Sequence, residues 1–118
     1  VALYQAFNLI SSSFRRIDMA NSRGSKGVFI SGSQAVASNG TAVALGAGIY
    51  GSVTIVAKTG NTGNVFVGGS DVASSTNEGL AAGAAIEFSP SKGHVIDLSD
   101  IYIDVGTNDD GVDFYATY

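Results

Sequence analysis

Apolar and polar positions alternate most clearly along the segment Ser52–Ser70. One side of its first half carries Val53 and Ile55, and one side of its second half carries Val65 and Val67. A period of two is the side-chain repeat of a β-strand, and β-branched residues suit a half-buried pleated surface. The sequence TGNTG lies between the two halves and is rich in residues that tolerate positive φ. The segment therefore predicts a β-hairpin that reverses at TGNTG.

The same alternation recurs on both sides of this segment, whereas a sustained helical period is absent from the pattern. Pro90 lacks an amide donor and is expected to end the strand before it. The sequence TNDDG near the C-terminus has the residues of a hairpin turn. The other candidate strands are Gly27–Ser31, Thr41–Leu45, Ala84–Phe88, Val95–Leu98, Asp100–Val105 and Val112–Tyr118.

About eight short strands with frequent turn signals are typical of an all-β fold, an antiparallel β-sandwich or a jelly-roll-like barrel, here with an extended N-terminal segment. The alternation also assigns faces, and it places Tyr102 and Asp104 on the outer side of their strand. Glycine-rich turns between strands disfavour a parallel α/β fold. The predicted core is Val53, Ile55, Val65, Val67, Ile86, Phe88, Ile101, Ile103 and Phe114.

The first 26 residues differ in pattern from the rest of the chain. We therefore expect an N-terminal arm or edge segment (1–26) followed by a β-sandwich domain (27–118). Leu3, Phe7 and Leu9 stand at odd positions, which fits a first strand of the sandwich as well as an arm that orders on binding. The pattern leaves both open. If it is an arm, the residues expected to bind a partner are its aromatic and basic side chains, Tyr4, Phe7, Phe14, Arg15, Arg16, Arg23 and Lys26.

Charge separates the two parts of the chain in the same way. The 118 residues carry a net charge of −4, yet four of the six basic residues lie in the first 26 and nine of the ten acidic ones fall between Asp71 and Asp113. This pattern fits ordinary solvated loops, or a basic arm that docks on an acidic partner surface. The acidic body would repel phosphates, so direct nucleic-acid binding is disfavoured.

Composition narrows the chemistry further. Cysteine is absent, which excludes disulfides, a thiolate nucleophile and a cysteine-based zinc site. A small β domain without disulfides often gains stability by burying surface against neighbouring subunits. The sequence contains no run of 18 apolar residues, which a transmembrane helix would need, so we expect no membrane partner. The start lacks the order of a signal peptide, and with no initiator Met it suggests processing or trimming.

Few residues suggest catalysis or metal binding. His94 is the single histidine and is expected in a turn. The acidic run from Asp97 to Asp113 could in principle bind calcium, but NDDG lacks the ligand spacing and closing Glu of an EF-hand loop. The glycine patterns lack the Lys-Ser/Thr of a phosphate-binding loop. Paired carboxylates remain open from sequence alone. We expect no catalytic residues, no cofactor and no bound metal.

Three stretches together carry a resemblance: SVTIVAKTGNTGNVFVGGSDV, GLAAGAAIEF and LSDIYIDVGTNDDGVDFYATY. This order resembles small structural proteins of tailed bacteriophages, in which a GNTG-like turn and a VYVGGS-like strand precede a proline-rich turn and an LSDIYV strand. The chain departs from them where Gly79, Ala81 and Ala82 replace the turn's prolines, although Leu80 and Gly83 remain. The likeness covers a little over half of the chain and leaves Val1–Tyr50 unmatched.

The resemblance implies a non-enzymatic virion structural protein, first of all a capsid decoration or cement protein on the exterior of a phage head. Its implied partners are the major capsid protein or other virion proteins and further copies of itself, as a homotrimer, and it would pass through the host cytoplasm during assembly. A neck, tail or fibre-base protein is the second hypothesis. A carbohydrate- or receptor-binding module is the third; sugar-binding platforms usually present exposed Trp or Tyr, and the chain has no Trp and only five Tyr.

Overall fold

The computed structural model describes residues 27–75 and 77–118, and strands dominate them. A short 3₁₀ helix, Leu98–Asp100, is the one helical element of this part of the chain. The ten strands are β1 (Phe29–Ala35), β2 (Val43–Ala44), β3 (Ile49–Tyr50), β4 (Ser52–Ala57), β5 (Val65–Gly68), β6 (Gly79–Leu80), β7 (Ala85–Phe88), β8 (Ile96–Asp97), β9 (Tyr102–Val105) and β10 (Gly111–Thr117).

The strands form two four-stranded sheets and a small two-stranded one, all antiparallel. Sheet A has the order β1-β10-β4-β7, sheet B has the order β2-β9-β5-β6, and β3 pairs with β8. Sheets A and B contribute side chains to one core, so the predicted all-β sandwich is confirmed. Ten strands form rather than about eight because β3 and β6, two residues each, are too short to show an alternation.

The predicted core lies where the alternation placed it. Five of its nine members are buried and the other four are partly buried against them. Strands β4 and β10 supply alternate residues to it, as their burial patterns show. The buried apolar residues that the core prediction left out are Val36, Leu45, Ala57, Phe66, Val72, Leu98, Val105, Val112 and Ala116.

The predicted hairpin of Ser52–Ser70 is wrong. Strand β4 pairs with β10 and β7 in sheet A, whereas β5 pairs with β9 and β6 in sheet B. The sequence TGNTG therefore crosses from one sheet to the other. The sequence TNDDG does the same between β9 and β10, so it is not a hairpin turn either. Alternation reports which face of a strand is buried, but it does not name the strand alongside.

The prediction that Asp104 faces solvent is also wrong, since Asp104 is only 1% exposed. The loop that contains Gly40 covers it: one carboxylate oxygen of Asp104 accepts hydrogen bonds from the amides of Gly40, at 2.9 Å, and of Val105, at 2.8 Å. Tyr102, assigned to the same side, is half-buried. Both faces of β9 are thus covered where the loop crosses it.

The boundary proposed at residue 26 coincides with the start of the described residues, so the division into arm and domain stays a prediction. Strand β7 ends at Phe88, two residues before Pro90, as expected. Within residues 27–75 and 77–118, no helix has the length and apolar character needed to cross a membrane.

Candidate functional site

The residues predicted to bind a partner all precede Gly27 and lie outside the described residues. They are Tyr4, Phe7, Phe14, Arg15, Arg16, Arg23 and Lys26. The structure does show the place where that segment joins the body, at the first residue of the described chain and immediately before β1.

An aromatic patch lies at this junction; we define it as Phe29 and Tyr115, which are 65% and 43% exposed. Phe29 of β1 pairs with Thr117 of β10, which makes Tyr115 its diagonal neighbour on the outer face of sheet A. The two rings stack with centroids 6.5 Å apart and an angle of 29° between their planes.

Val28 and Tyr118 lie just beyond the paired strands, and side-chain alternation places them on the face opposite to Phe29 and Tyr115. The amide of Tyr118 donates to the carbonyl of Val28 at 2.9 Å, so the two residues continue the antiparallel pairing of β1 with β10. Both are exposed. Large exposed side chains that lie together, as Phe29 and Tyr115 do, are typical of an interaction surface, unlike scattered ones.

Strand β1 itself is an unguarded sheet edge. In the described part of the chain it pairs with β10 alone, and its sequence FISGSQA has neither a charged residue nor proline. The other edge strand of sheet A, β7, contains Glu87 and is followed by Pro90, while β2 and β6 are two residues long. Charge, proline and short length are the usual protections of an edge. β1 has none of them, and among residues 27–75 and 77–118 no strand pairs with its outer edge.

A groove opens at the other edge of sheet A; we call it the apolar groove. It has a volume of about 560 Å³ and lies between the ends of β5 and β7, closed by residues around the 3₁₀ helix. Glu87 and Asp100, both exposed, are the ionisable residues among those that line it. Its remaining lining is Val67, Gly68, Gly69, Phe88, Ser89, Pro90, Ile96 and Ile101.

Polar side chains join the loops at the opposite end of the sandwich. Asp110, which is buried, accepts hydrogen bonds from the amides of Thr62, at 3.1 Å, and Gly63, at 2.7 Å. Asn61 bonds to Gly111 in both directions: its amide group donates to the Gly111 carbonyl at 2.8 Å and accepts from the Gly111 amide at 3.0 Å. The Asn61 side chain thus makes the pair of hydrogen bonds with Gly111 that a neighbouring strand would otherwise make. Asn61 and Asp110 together hold the two inter-sheet loops in contact.

An ion pair lies beside this network. The Lys58 ammonium group is 2.8 Å from a carboxylate oxygen of Asp113, which also accepts a hydrogen bond from the Ser33 hydroxyl at 3.1 Å. The bond from Lys58, with a smaller contribution from Ser33, lowers the pKa of Asp113 below its ordinary value. The pair joins β10 to the end of β4, and both side chains are about two-fifths exposed.

The acidic run divides among separate structural tasks. Asp97 caps the 3₁₀ helix, accepting from the amide of Ser99 at 2.9 Å and from its hydroxyl at 2.7 Å, and these bonds lower the pKa of Asp97. Asp104 and Asp110 hold loops, and Asp113 pairs with Lys58. Among the described residues, no three His, Cys, Asp or Glu side chains are arranged to hold a metal ion.

His94 lies in a turn, as predicted: its amide donates to the carbonyl of Ser91 at 3.0 Å, and it is exposed. Sequence reasoning missed both the aromatic patch and the apolar groove. A signal for the patch was present in the aromatic residues at the two ends of 27–118. The groove had none, because periodicity places Val67 and Phe88 in the core, whereas both are only partly buried in the structure.

Comparison with known proteins adds no relative: no protein family, no curated protein and no solved structure matches this chain.

Proposed function

We propose that this chain is a non-enzymatic virion structural protein, a decoration protein that cements the outside of a tailed-phage head. The observation that carries the proposal is the aromatic patch on the unguarded edge strand β1, at the point where the basic N-terminal segment joins the body. A surface of this kind supports attachment to another protein. The sequence resemblance to phage structural proteins supplies the kind of partner.

The body supports a mechanical role. Its loops are held by hydrogen bonds between residues distant in sequence, such as Asn61 with Gly111 and Asp104 with Gly40. Buried polar groups that are all satisfied favour one rigid arrangement, and among the described residues no buried side-chain nitrogen or oxygen lacks a partner. A rigid body with an N-terminal attachment segment is suited to bridging neighbouring capsid subunits.

Attachment would combine an apolar contact with charge. The patch contributes apolar area around Phe29 and Tyr115, and the residues Arg15 and Arg16 contribute contacts to acidic groups on the capsid protein. Each contact is modest, but repetition over a lattice, and over the three copies of a homotrimer, multiplies the apparent affinity. The acidic body of residues 27–118 keeps the protein away from nucleic acid.

Binding to purified heads tests the proposal. Heads that lack the protein are mixed with the full chain, with the R15E/R16E variant and with K92E, which reverses an exposed lysine on the body. We expect the unaltered chain and K92E to sediment with the heads. R15E/R16E should bind more weakly, and added salt should weaken the binding of the unaltered chain, since charge pairs at a solvated rim are screened.

Quantitative mass spectrometry of purified virions separates the leading role from its alternative. Copies in the hundreds per particle support decoration of the head surface. A dozen or fewer would instead assign the chain to the neck, tail or fibre base. Failure of the chain to associate with any virion particle would overturn a structural role in the virion altogether.

A further inference from the structure

We infer that the apolar groove is a binding site for an aromatic residue followed by arginines, and that its occupant in the free protein is Phe14–Arg16 of the same chain. The phenyl ring of Phe14 would fill the apolar part of the groove. Arg15 and Arg16 would lie beside the carboxylates of Glu87 and Asp100. The inference concerns the protein before it meets a partner and does not rest on the proposed function.

The chemistry of the groove favours such a ligand. Its apolar lining comes from Val67, Phe88, Pro90, Ile96 and Ile101, and it is large enough, at about 560 Å³, for an aromatic side chain with the aliphatic stem of a neighbour. Apolar pockets with few polar groups bind ligands that match both features. Arginine suits the rim, because its stem packs on apolar surface while its guanidinium group reaches a carboxylate.

The position of the groove also favours the chain's own segment. In sheet A, Ile30 of β1 pairs with Ala116, Ala116 pairs with Val53, and Val53 pairs with Phe88 of β7. Phe88 in the groove and the start of β1 therefore lie at the same end of the sheet. Three strand spacings separate them, which is about 14 Å.

The length of chain before β1 matches that separation. Ten residues, 17–26, connect Arg16 to Gly27. Ten residues can reach at most roughly 35 Å, which exceeds this separation. A connection that can span the distance to its site raises the local concentration of the attached ligand there. Binding within one copy is for this reason favoured over binding to a second copy.

Charge complementarity points to the same occupant. Residues 1–26 contain four basic residues and one acidic residue, whereas residues 27–118 contain two basic and nine acidic ones. Within the basic segment, Phe14 is the one aromatic residue directly followed by two arginines; Tyr4 and Phe7 have uncharged neighbours. Phe14–Arg16 is therefore the part of the segment that matches a groove with an apolar lining and an acidic rim.

Disulfide trapping in the full chain tests the inference cleanly, because the chain has no cysteine of its own. One double variant, S13C/S89C, places a thiol beside Phe14 and another on the groove. Its matched control, S13C/T62C, places the second thiol in the exposed loop at the opposite end of the sandwich. After mild oxidation, non-reducing electrophoresis and mass spectrometry count intrachain and interchain products.

We expect S13C/S89C to form an intrachain disulfide about tenfold faster than S13C/T62C, as a local effective concentration requires. Adding Phe14→Ala, or R15E/R16E, should reduce the rate to that of the control. Equal rates in the two double variants would overturn the groove as the site. Predominantly interchain disulfides would overturn the same-copy assignment, and an unchanged rate with Phe14→Ala would overturn the aromatic anchor.

Discussion

Phe114 and Gly32 face one another across β10 and β1, and the phenyl ring of Phe114 occupies the space where a side chain on Gly32 would stand. The ring is thereby buried against the edge strand, although β1 offers little apolar surface of its own. An aromatic ring that covers a glycine in this way helps to fix the register of an edge strand. The glycine is part of the core packing and not a point of conformational freedom.

Replacing Gly32 with alanine should therefore destabilise the fold. The new methyl group would collide with the Phe114 ring, and overpacking of this kind costs about 1–3 kcal/mol. Denaturant unfolding followed by circular dichroism measures the loss. Gly60→Ala is the control, since nothing lies within 4 Å of a methyl group there. A Gly32→Ala protein as stable as Gly60→Ala would mean that the ring moves aside without cost.

Asn61 should be intolerant of both alanine and aspartate. Alanine removes both bonds to Gly111, and aspartate replaces the donor with a second oxygen that faces the Gly111 carbonyl. Leaving a buried group of Gly111 unpaired costs about 1–3 kcal/mol. Thermal unfolding of N61A and N61D gives the loss at neutral pH. The exposed Asn64→Ala serves as control, and equal stability of all three variants would contradict the bridging role of Asn61.

Much of the fold could be predicted from the sequence, because most strands have one face turned to the core, and burial then imposes a period of two, as in β1, β4 and β7. Ile55 and Ile103 were assigned correctly for this reason. The pairing of strands could not be predicted, since the partners of β4 lie far away in the chain. Asp104 shows the second limit: its burial depends on the Gly40 loop crossing β9, and the local pattern of β9 carries no trace of that loop.

The candidate surfaces were predictable to a smaller degree. The sequence located the basic segment before Gly27 and the aromatic residues that follow it. The apolar groove depends on the incomplete burial of Val67 and Phe88, which is set by packing across the whole sandwich. Periodicity marks both residues as apolar positions facing inward, and it cannot tell a filled core from a groove.

The buried isoleucines Ile55 and Ile103 should each contribute strongly to stability. Both are 0% exposed, and truncating a fully buried isoleucine to alanine costs roughly 2–5 kcal/mol. Ile49 offers a matched control, since it is also in a strand but 53% exposed. Chemical denaturation of the three alanine variants should show large losses at the first two positions. Losses below about 0.5 kcal/mol at both would mean that the faces are reversed.

The Lys58–Asp113 pair should affect stability mainly through its pH dependence. Lys58 lowers the folded-state pKa of Asp113, so the stabilisation is present above the unfolded-state pKa, about 3.9, and is lost as pH falls through the folded-state value. Because both side chains are partly exposed, the gain at neutral pH is about 0–1 kcal/mol. In Lys58→Met, the pKa of Asp113 should rise toward its ordinary value.

Carbon-detected NMR titration of the Asp113 side chain measures that rise, and urea unfolding at neutral and acidic pH measures the stability. Lys92→Met removes an exposed lysine without touching the pair and serves as control. An Asp113 pKa unchanged in Lys58→Met would show that Ser33, and not Lys58, sets it.

The final prediction concerns the aromatic patch. Phe29 and Tyr115 contact each other on the outer face of the sheet, so replacing both with serine removes an exposed stack worth about 0.5–1.5 kcal/mol and leaves the core residues in place. The F29S/Y115S variant should remain folded by circular dichroism. If the patch is the attachment surface, binding of this variant to heads should nevertheless fall by about tenfold or more, because buried aromatic residues dominate interface energetics.

Val95→Ser is the control for this prediction, since Val95 is exposed and lies outside the patch. Cosedimentation with decoration-free heads compares the three proteins. Binding of F29S/Y115S equal to that of Val95→Ser would remove the patch from the interface and leave attachment to the N-terminal segment alone.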